Sequence, residues 1–221
     1  MNQIPSVDLR DFLSGNPERK QKFVNEIGKA YEEIGFVALK GHFLDEKLVD
    51  DLYQEVKQFF ELPVETKQKY EIPGIGGQRG YVGFGKETAK GFKKGDLKEF
   101  WHFGQYLEPG SKYEEVYPDN VEVSENPKFN VVGKEAFKML EKTGIYVLRA
   151  LALHLGLDEF YFDKFVGEGN SILRPIHYPP ITEEPDNAVR AAAHGDINLI
   201  TLLMGAQGKG LQVMNHDGEW V

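Results

Sequence analysis

The chain has no cysteine among its 221 residues, which excludes disulfides and thiolate metal sites. It is also short of positive charge: 26 Lys and Arg stand against 35 Asp and Glu, a net −9. Nucleic acid and anionic membrane surfaces need a basic face, so neither is an expected partner. The acidic residues are spread along the chain rather than gathered in a tail, and they read as a solvated surface. No apolar run approaches the roughly 20 residues that span a bilayer. The opening MNQIPSVDLRDF lacks the basic-then-apolar order of a signal peptide, so a cytoplasmic location is expected. What remains is a globular composition, 41% hydrophobic and 28% charged, enough for one large domain or two small ones.

Periodicity divides the chain. Ile4 to Leu9 alternates and contains Pro5, which predicts an edge strand. Asn16-Pro17 predicts a helix start, with Phe23, Ile27, Ala30, Tyr31 and Ile34 at helical spacing and Gly35 as the stop. Phe36 to Leu39 predicts a buried strand. Asp45 is placed to cap a second helix carrying Leu48, Leu52, Val56, Phe59 and Phe60, ended by Pro63. Six glycines between Gly74 and Gly85 mark a loop of unusual torsions. DLKEFWHFG (96–104) predicts a strand, and residues 105–128 a long exposed connection. A third helix is expected from Lys134 to Leu155, with Phe137, Leu140, Leu148, Leu151 and Leu155 inward, then a short aromatic helix after Asp158. From Ser171 the pattern changes to strands, in SILRPIHYPP, AVRAAAHGDINLITLLM and GLQVM, with Asp217-Gly218 turning LQVM back on EWV. Helices first and a β region second is an α+β layout.

Of the six histidines, only His194 has a carboxylate two residues on, Asp196. In an extended chain residues i and i+2 share a face, so imidazole and carboxylate can reach one ion. Two histidines and a carboxylate on one octahedral face leave three positions open, the arrangement of non-haem iron(II) oxygenases. The bare H-x-D pattern fits a surface turn, with Asp196 capping a backbone amide, at least as well. His177 precedes Tyr178 by one residue and faces the other way in a strand, which makes it a packing group. His216 reads as an exposed turn residue. Arg79, Tyr81 and His102 are candidate substrate contacts, each with a plain alternative: surface ion pair, partial core, satisfied polar edge.

The surroundings of His194 carry more. AVRAAAHGDINLITLLM followed by GKGLQVMNHDGEW resembles the isopenicillin N synthase-like branch of the iron(II)/2-oxoglutarate dioxygenases, where H-x-D precedes a T-L-L strand, a G-L-Q-V strand and a D-G-x-W hairpin. IPSVDL, EEIGFVALKGH, FFELPVETKQKY and GQRGY resemble the same family's N-terminal part, in the family's order. The likeness runs from Ile4 to Val221. It implies a mainly β architecture with N-terminal helices, the β part being a double-stranded β-helix or jelly roll. The implied division is an N-terminal region over 1–125, then a long helix and the first part of the jelly roll over 126–221. The resemblance makes His194 and Asp196 the first two Fe(II) ligands and Tyr178 a residue that lines the 2-oxoglutarate site. It implies O2 and a small-molecule substrate as the other reactants. Ile176 and His177 stand where many plant members have Asn and Tyr. The family's second iron histidine, and the arginine and serine that hold the far carboxylate of 2-oxoglutarate, follow the D-G-x-W hairpin. This sequence stops at Val221 before reaching them, so an incomplete site is expected in residues 1–221. A family minority works without 2-oxoglutarate, and a non-catalytic member keeping the fold is the other alternative.

One rival motif is set aside. GYVGFGKE (80–87) approaches G-x-x-x-x-G-K-[ST], but Glu87 replaces the magnesium-binding hydroxyl and a glycine-rich segment follows where a helix is needed.

Overall fold

The computed structural model describes residues 4–88, 95–181, 190–191, 193–196, 198–205, 212–215 and 218–221. In chain order its elements are β1 (Ser6–Asp8), α1 (Leu9–Phe12), α2 (Pro17–Glu33), β2 (Ala38–Lys40), α3 (Glu46–Phe60), α4 (Val64–Gln68), β3 (Gly80–Val82), β4 (Glu99–Gly104), α5 (Pro127–His154), α6 (Asp163–Val166), β5 (Ile172–Leu173) and β6 (Ile176–His177). They fall into two compact units, neither a continuous stretch of sequence. One holds residues 1–45, 140–167 and 200–221; the other holds 46–139 and 168–199.

In the first unit β1 pairs in parallel with β2, Ser6 opposite Ala38. The Asn16 side chain accepts from the amides of Glu18 at 2.9 Å and Arg19 at 3.1 Å, which caps α2 as its sequence predicts. Gly35, at φ 73°, closes the helix, and its amide donates to the carbonyls of Ala30 and Tyr31. The apolar stripe of α2 (Phe23, Val24, Ile27) buries against Val7, Leu9 and Phe12, and against Val147 and Ala150 of α5. Leu155 was expected inward on α5, yet it is 62% exposed. The helix ends at His154, and Gly156 at φ 70° turns the chain away. The 213–221 hairpin forms: Met214 pairs with Trp220, and Val213 and Val221 exchange backbone hydrogen bonds of 2.9 and 2.8 Å. Its turn residues 216 and 217, His216 included, lie outside the described residues.

The second unit is built on β4, every residue of which is buried. β3 lies along one side of β4, while β5 and β6 together run antiparallel along the other. Arg174-Pro175 interrupts that second ladder, because proline has no amide to donate. The Pro175 carbonyl still accepts from the Trp101 amide at 3.0 Å, which keeps the strand in place. Behind the sheet Phe59 stacks on Phe129 at 4.9 Å, and the Trp101 ring meets both edge-on. Pairs of this kind contribute about 0.5–1.5 kcal/mol each beyond their burial.

Four expectations need correcting here. The buried strand expected over Phe36 to Leu39 is instead the β2 strand Ala38–Lys40, with Ala38 and Lys40 exposed and Phe36 42% exposed before it. The 105–128 connection is not simply exposed: Val123 is fully buried, and Asn120 ties both the amide and the carbonyl of Gly104. α5 starts at Pro127 rather than Lys134, since proline suits a first turn. No hydrogen-bonded strand is present among the described residues of 190–204; an apolar-rich stretch becomes a strand only where a ladder partner lies beside it. Helix therefore exceeds strand in the described chain.

Candidate functional site

His194 and Asp196 come together as their spacing suggests. The His194 Nε2 atom lies 3.5 Å from Asp196 Oδ1, and the side chains are 61% and 48% exposed. Two donors about 2.1 Å from one ion, on adjacent octahedral positions, stand about 3 Å apart. The pair thus needs only a small shift to hold a metal, and imidazole with carboxylate suits iron(II). Among the described residues no group of three or more His, Asp or Glu side chains is arranged to hold a metal. Within residues 1–221 the pair supplies two donors.

Tyr178, the expected cosubstrate residue, directly follows β6 and is 37% exposed. His177 beside it packs, as its sequence position predicts. Its ring stacks on Phe60 at 5.2 Å, and its Nδ1 lies 2.8 Å from Glu99 Oε1. A carboxylate can only accept, so Nδ1 carries the hydrogen. Glu99 is a buried hub. It also receives Lys67 Nζ at 2.8 Å and the Tyr81 hydroxyl. Burial pushes the Glu99 carboxyl upward, but the hydrogen bonds from Lys67, Tyr81 and His177 outweigh it and hold the group below the usual carboxylate range. Burial and the Glu99 charge push the Tyr81 phenol up.

The three proposed substrate contacts sit inside the unit rather than on a surface. Tyr81 is 3% exposed and committed to Glu99. His102 is 4% exposed; its Nδ1 donates to the Gly77 carbonyl at 2.6 Å, and its Nε2 accepts from Arg174 Nε at 2.6 Å. Burial and the neighbouring Arg174 charge push its pKa down to about 4, so the ring is neutral. Arg79 is fully buried, donating to the Gln78 carbonyl at 2.8 Å and Asn170 Oδ1 at 3.0 Å. A Cβ at Gly104 would fall 1.7 Å from the Arg79 guanidinium carbon, so glycine there makes room for it. All three side chains are enclosed and hydrogen-bonded within the unit, where they tie the sheet together.

The groups that sequence reasoning missed are Lys67, Glu99 and Arg174. One signal was available: Lys98 and Glu99 are charges at the start of the apolar, aromatic run of β4. Buried charges need partners, and here Lys98 pairs with Asp96 at 2.9 Å and Glu87 at 2.6 Å. The P-loop-like segment is likewise committed to structure, Lys86 to Glu71 and Glu87 to Lys98 and Arg174.

Comparison with known proteins decides what the arrangement belongs to. Residues 4–125 match the family described as non-haem dioxygenase in morphine synthesis N-terminal. A 2OG-Fe(II) oxygenase family protein from Caulobacter crescentus is 41% identical. Its crystal structure superposes with a TM-score of 0.86, over 100% of this chain and 70% of that one. This chain belongs to the iron(II)/2-oxoglutarate oxygenases. Another member, a full-length Neurospora crassa protein crystallised in complex with alpha-KG, is 30% identical, with a TM-score of 0.83 over 100% of this chain and 69% of its own. Leucoanthocyanidin dioxygenase of Malus domestica is 29% identical over 99% of this oxygenase chain. The chain spans 60% of that relative's length. The double-stranded β-helix class expected from the sequence is the class of these structural neighbours.

Proposed function

We propose that the protein is an iron(II)- and 2-oxoglutarate-dependent oxygenase that uses O2 to oxidise a small organic molecule in the cytoplasm. The observation that carries this reading is the His194–Asp196 donor pair, 3.5 Å apart, in a chain whose whole length superposes on 69% of a Neurospora crassa protein crystallised with alpha-KG. His194 Nε2 and an Asp196 oxygen would hold the metal. The third protein ligand, a histidine, and the arginine that grips the far carboxylate would come from outside residues 1–221. The Tyr178 phenol would line the cosubstrate site. Iron, once bound, would supply the redox chemistry by which O2 oxidises 2-oxoglutarate to succinate and CO2 and delivers an oxygen atom to the substrate. The residues of this chain position and shield. The buried Glu99 and His102 networks keep the sheet rigid, and they hold their protons rather than exchange them with a reactant. The boundary near residue 125, where the family match ends, is kept as the division between the N-terminal region and the oxygenase core.

Succinate formation by the full-length protein, supplied with iron(II), 2-oxoglutarate and O2, tests the reading. His194→Ala or Asp196→Ala is expected to abolish it. Turnover unchanged in both variants would reject the ligand assignment. O2 consumption without any 2-oxoglutarate requirement would place the protein in the minority that dispenses with it. A second reading applies to residues 1–221 alone, where two exposed donors favour weak iron binding and no coupled turnover.

A further inference from the structure

We infer that Glu99, acting through His177, is a positioning device for Tyr178, and that its role in the reaction is to set the affinity for 2-oxoglutarate. The inference rests on the functional reading above and adds a residue pair to it.

Tyr178 sits where a sheet ends. On its N-terminal side His177 is the cross-strand partner of Glu99 in the β4–β6 ladder. The side chains of that same pair are joined by a 2.8 Å hydrogen bond. The Glu99 carboxylate does not move with His177, because Lys67 of α4 and Tyr81 of β3 hold it from two other elements. Stacking of the His177 ring on Phe60 restrains the ring further. On the C-terminal side Pro179 and Pro180 follow. A residue before proline is confined to extended torsions, so Tyr178 has little backbone freedom there either. In extended backbone consecutive side chains leave opposite faces. The His177 side chain, 39% exposed, is held at the sheet surface by Glu99 and Phe60, and restraining it restrains the direction in which the tyrosine leaves the opposite face. Tyr178 itself is 37% exposed and can meet a ligand. Packing alone does not require a buried carboxylate at this point. An apolar pair would fill the space without the desolvation of Glu99 and Lys67, and buried ion pairs are often no better than apolar groups for stability.

The test uses the full-length protein with iron(II), without oxygen, and reads 2-oxoglutarate binding by calorimetry beside the thermal midpoint. His177→Phe keeps the stacking on Phe60 and removes the hydrogen bond. It is expected to weaken 2-oxoglutarate binding about tenfold, the scale of one charge-assisted hydrogen bond. His177→Gln keeps a donor and is expected to restore most of the affinity. Glu99→Asp draws the acceptor back from His177 while leaving Lys67 a carboxylate, and is expected to act in the same direction as His177→Phe. The decisive comparison is a double-mutant cycle. In a Tyr178→Ala background, His177→Phe is expected to cause no further loss. Additive losses, or unchanged affinity in both His177→Phe and Glu99→Asp, would overturn the positioning role while leaving the functional reading intact. Failure of the unsubstituted protein to bind 2-oxoglutarate would overturn that reading and this inference with it.

Discussion

His102 shows how a side chain that looks functional in sequence can be tied into the structure. A histidine on a strand near a glycine loop is chemically a candidate substrate contact, yet both ring nitrogens are already engaged and the ring is buried. Its pKa is lowered from 6.5 to about 4, which has a stability consequence of definite sign. Between those two values the unfolded chain binds a proton that the folded chain refuses. The stability it contributes is therefore complete above pH 6.5 and is lost as pH falls toward 4, by about 3 kcal/mol in all. Urea unfolding at pH 7 and pH 4.5 should show this slope, and His102→Gln should flatten it. An equal slope in the variant would assign the pH dependence to other groups. Lys67 is the second residue-scale case. Lys67→Met leaves Glu99 charged and buried without its cation, which costs about 3–5 kcal/mol. The Lys67→Met, Glu99→Gln double variant should recover part of that loss in the same unfolding measurement.

At the scale of elements, local chemistry was legible where the chain supplies its own cause. Asn16-Pro17 and Gly35 bound α2 because capping is decided within a few residues, and both act as predicted. Asn16→Ala should cost about 1 kcal/mol in chemical denaturation, the usual value of a lost cap; no loss would mean that water caps the helix equally well. The strand at 99–104 was legible from its apolar run. Its partners were not, because β3, β5 and β6 are short and reach β4 from distant sequence. The described residues of 190–204 form no ladder for a related reason: alternation states a preference, and the ladder depends on a neighbour. The site was legible in part. The approach of His194 to Asp196 was legible from an i, i+2 spacing, while their proposed role as ligands, like that of Tyr178, comes from resemblance. Glu99 carried only the signal of a charge beside an apolar run, since its importance lies in meeting Lys67, Tyr81 and His177 from three other elements.

For the whole molecule, the described surface carries large apolar side chains, among them Leu199 at 55%, Leu203 at 59%, Met214 at 51% and Trp220 at 50% exposed. Surfaces of this kind recruit partners or dyes. Residues 1–221 on their own are expected to bind a hydrophobic dye strongly, and the full-length protein to bind it weakly. Equal, weak binding by both would show that these side chains are covered by other means. No helix among the described residues is long and apolar enough to cross a membrane. The central claim is that one iron ion is held by His194 and Asp196, and anomalous diffraction locates iron without depending on turnover. In crystals of the full-length protein loaded with iron(II), measured at the iron edge, one peak is expected within about 2.3 Å of both His194 Nε2 and an Asp196 oxygen. A peak elsewhere, or none with His194 and Asp196 still paired to each other, would contradict it.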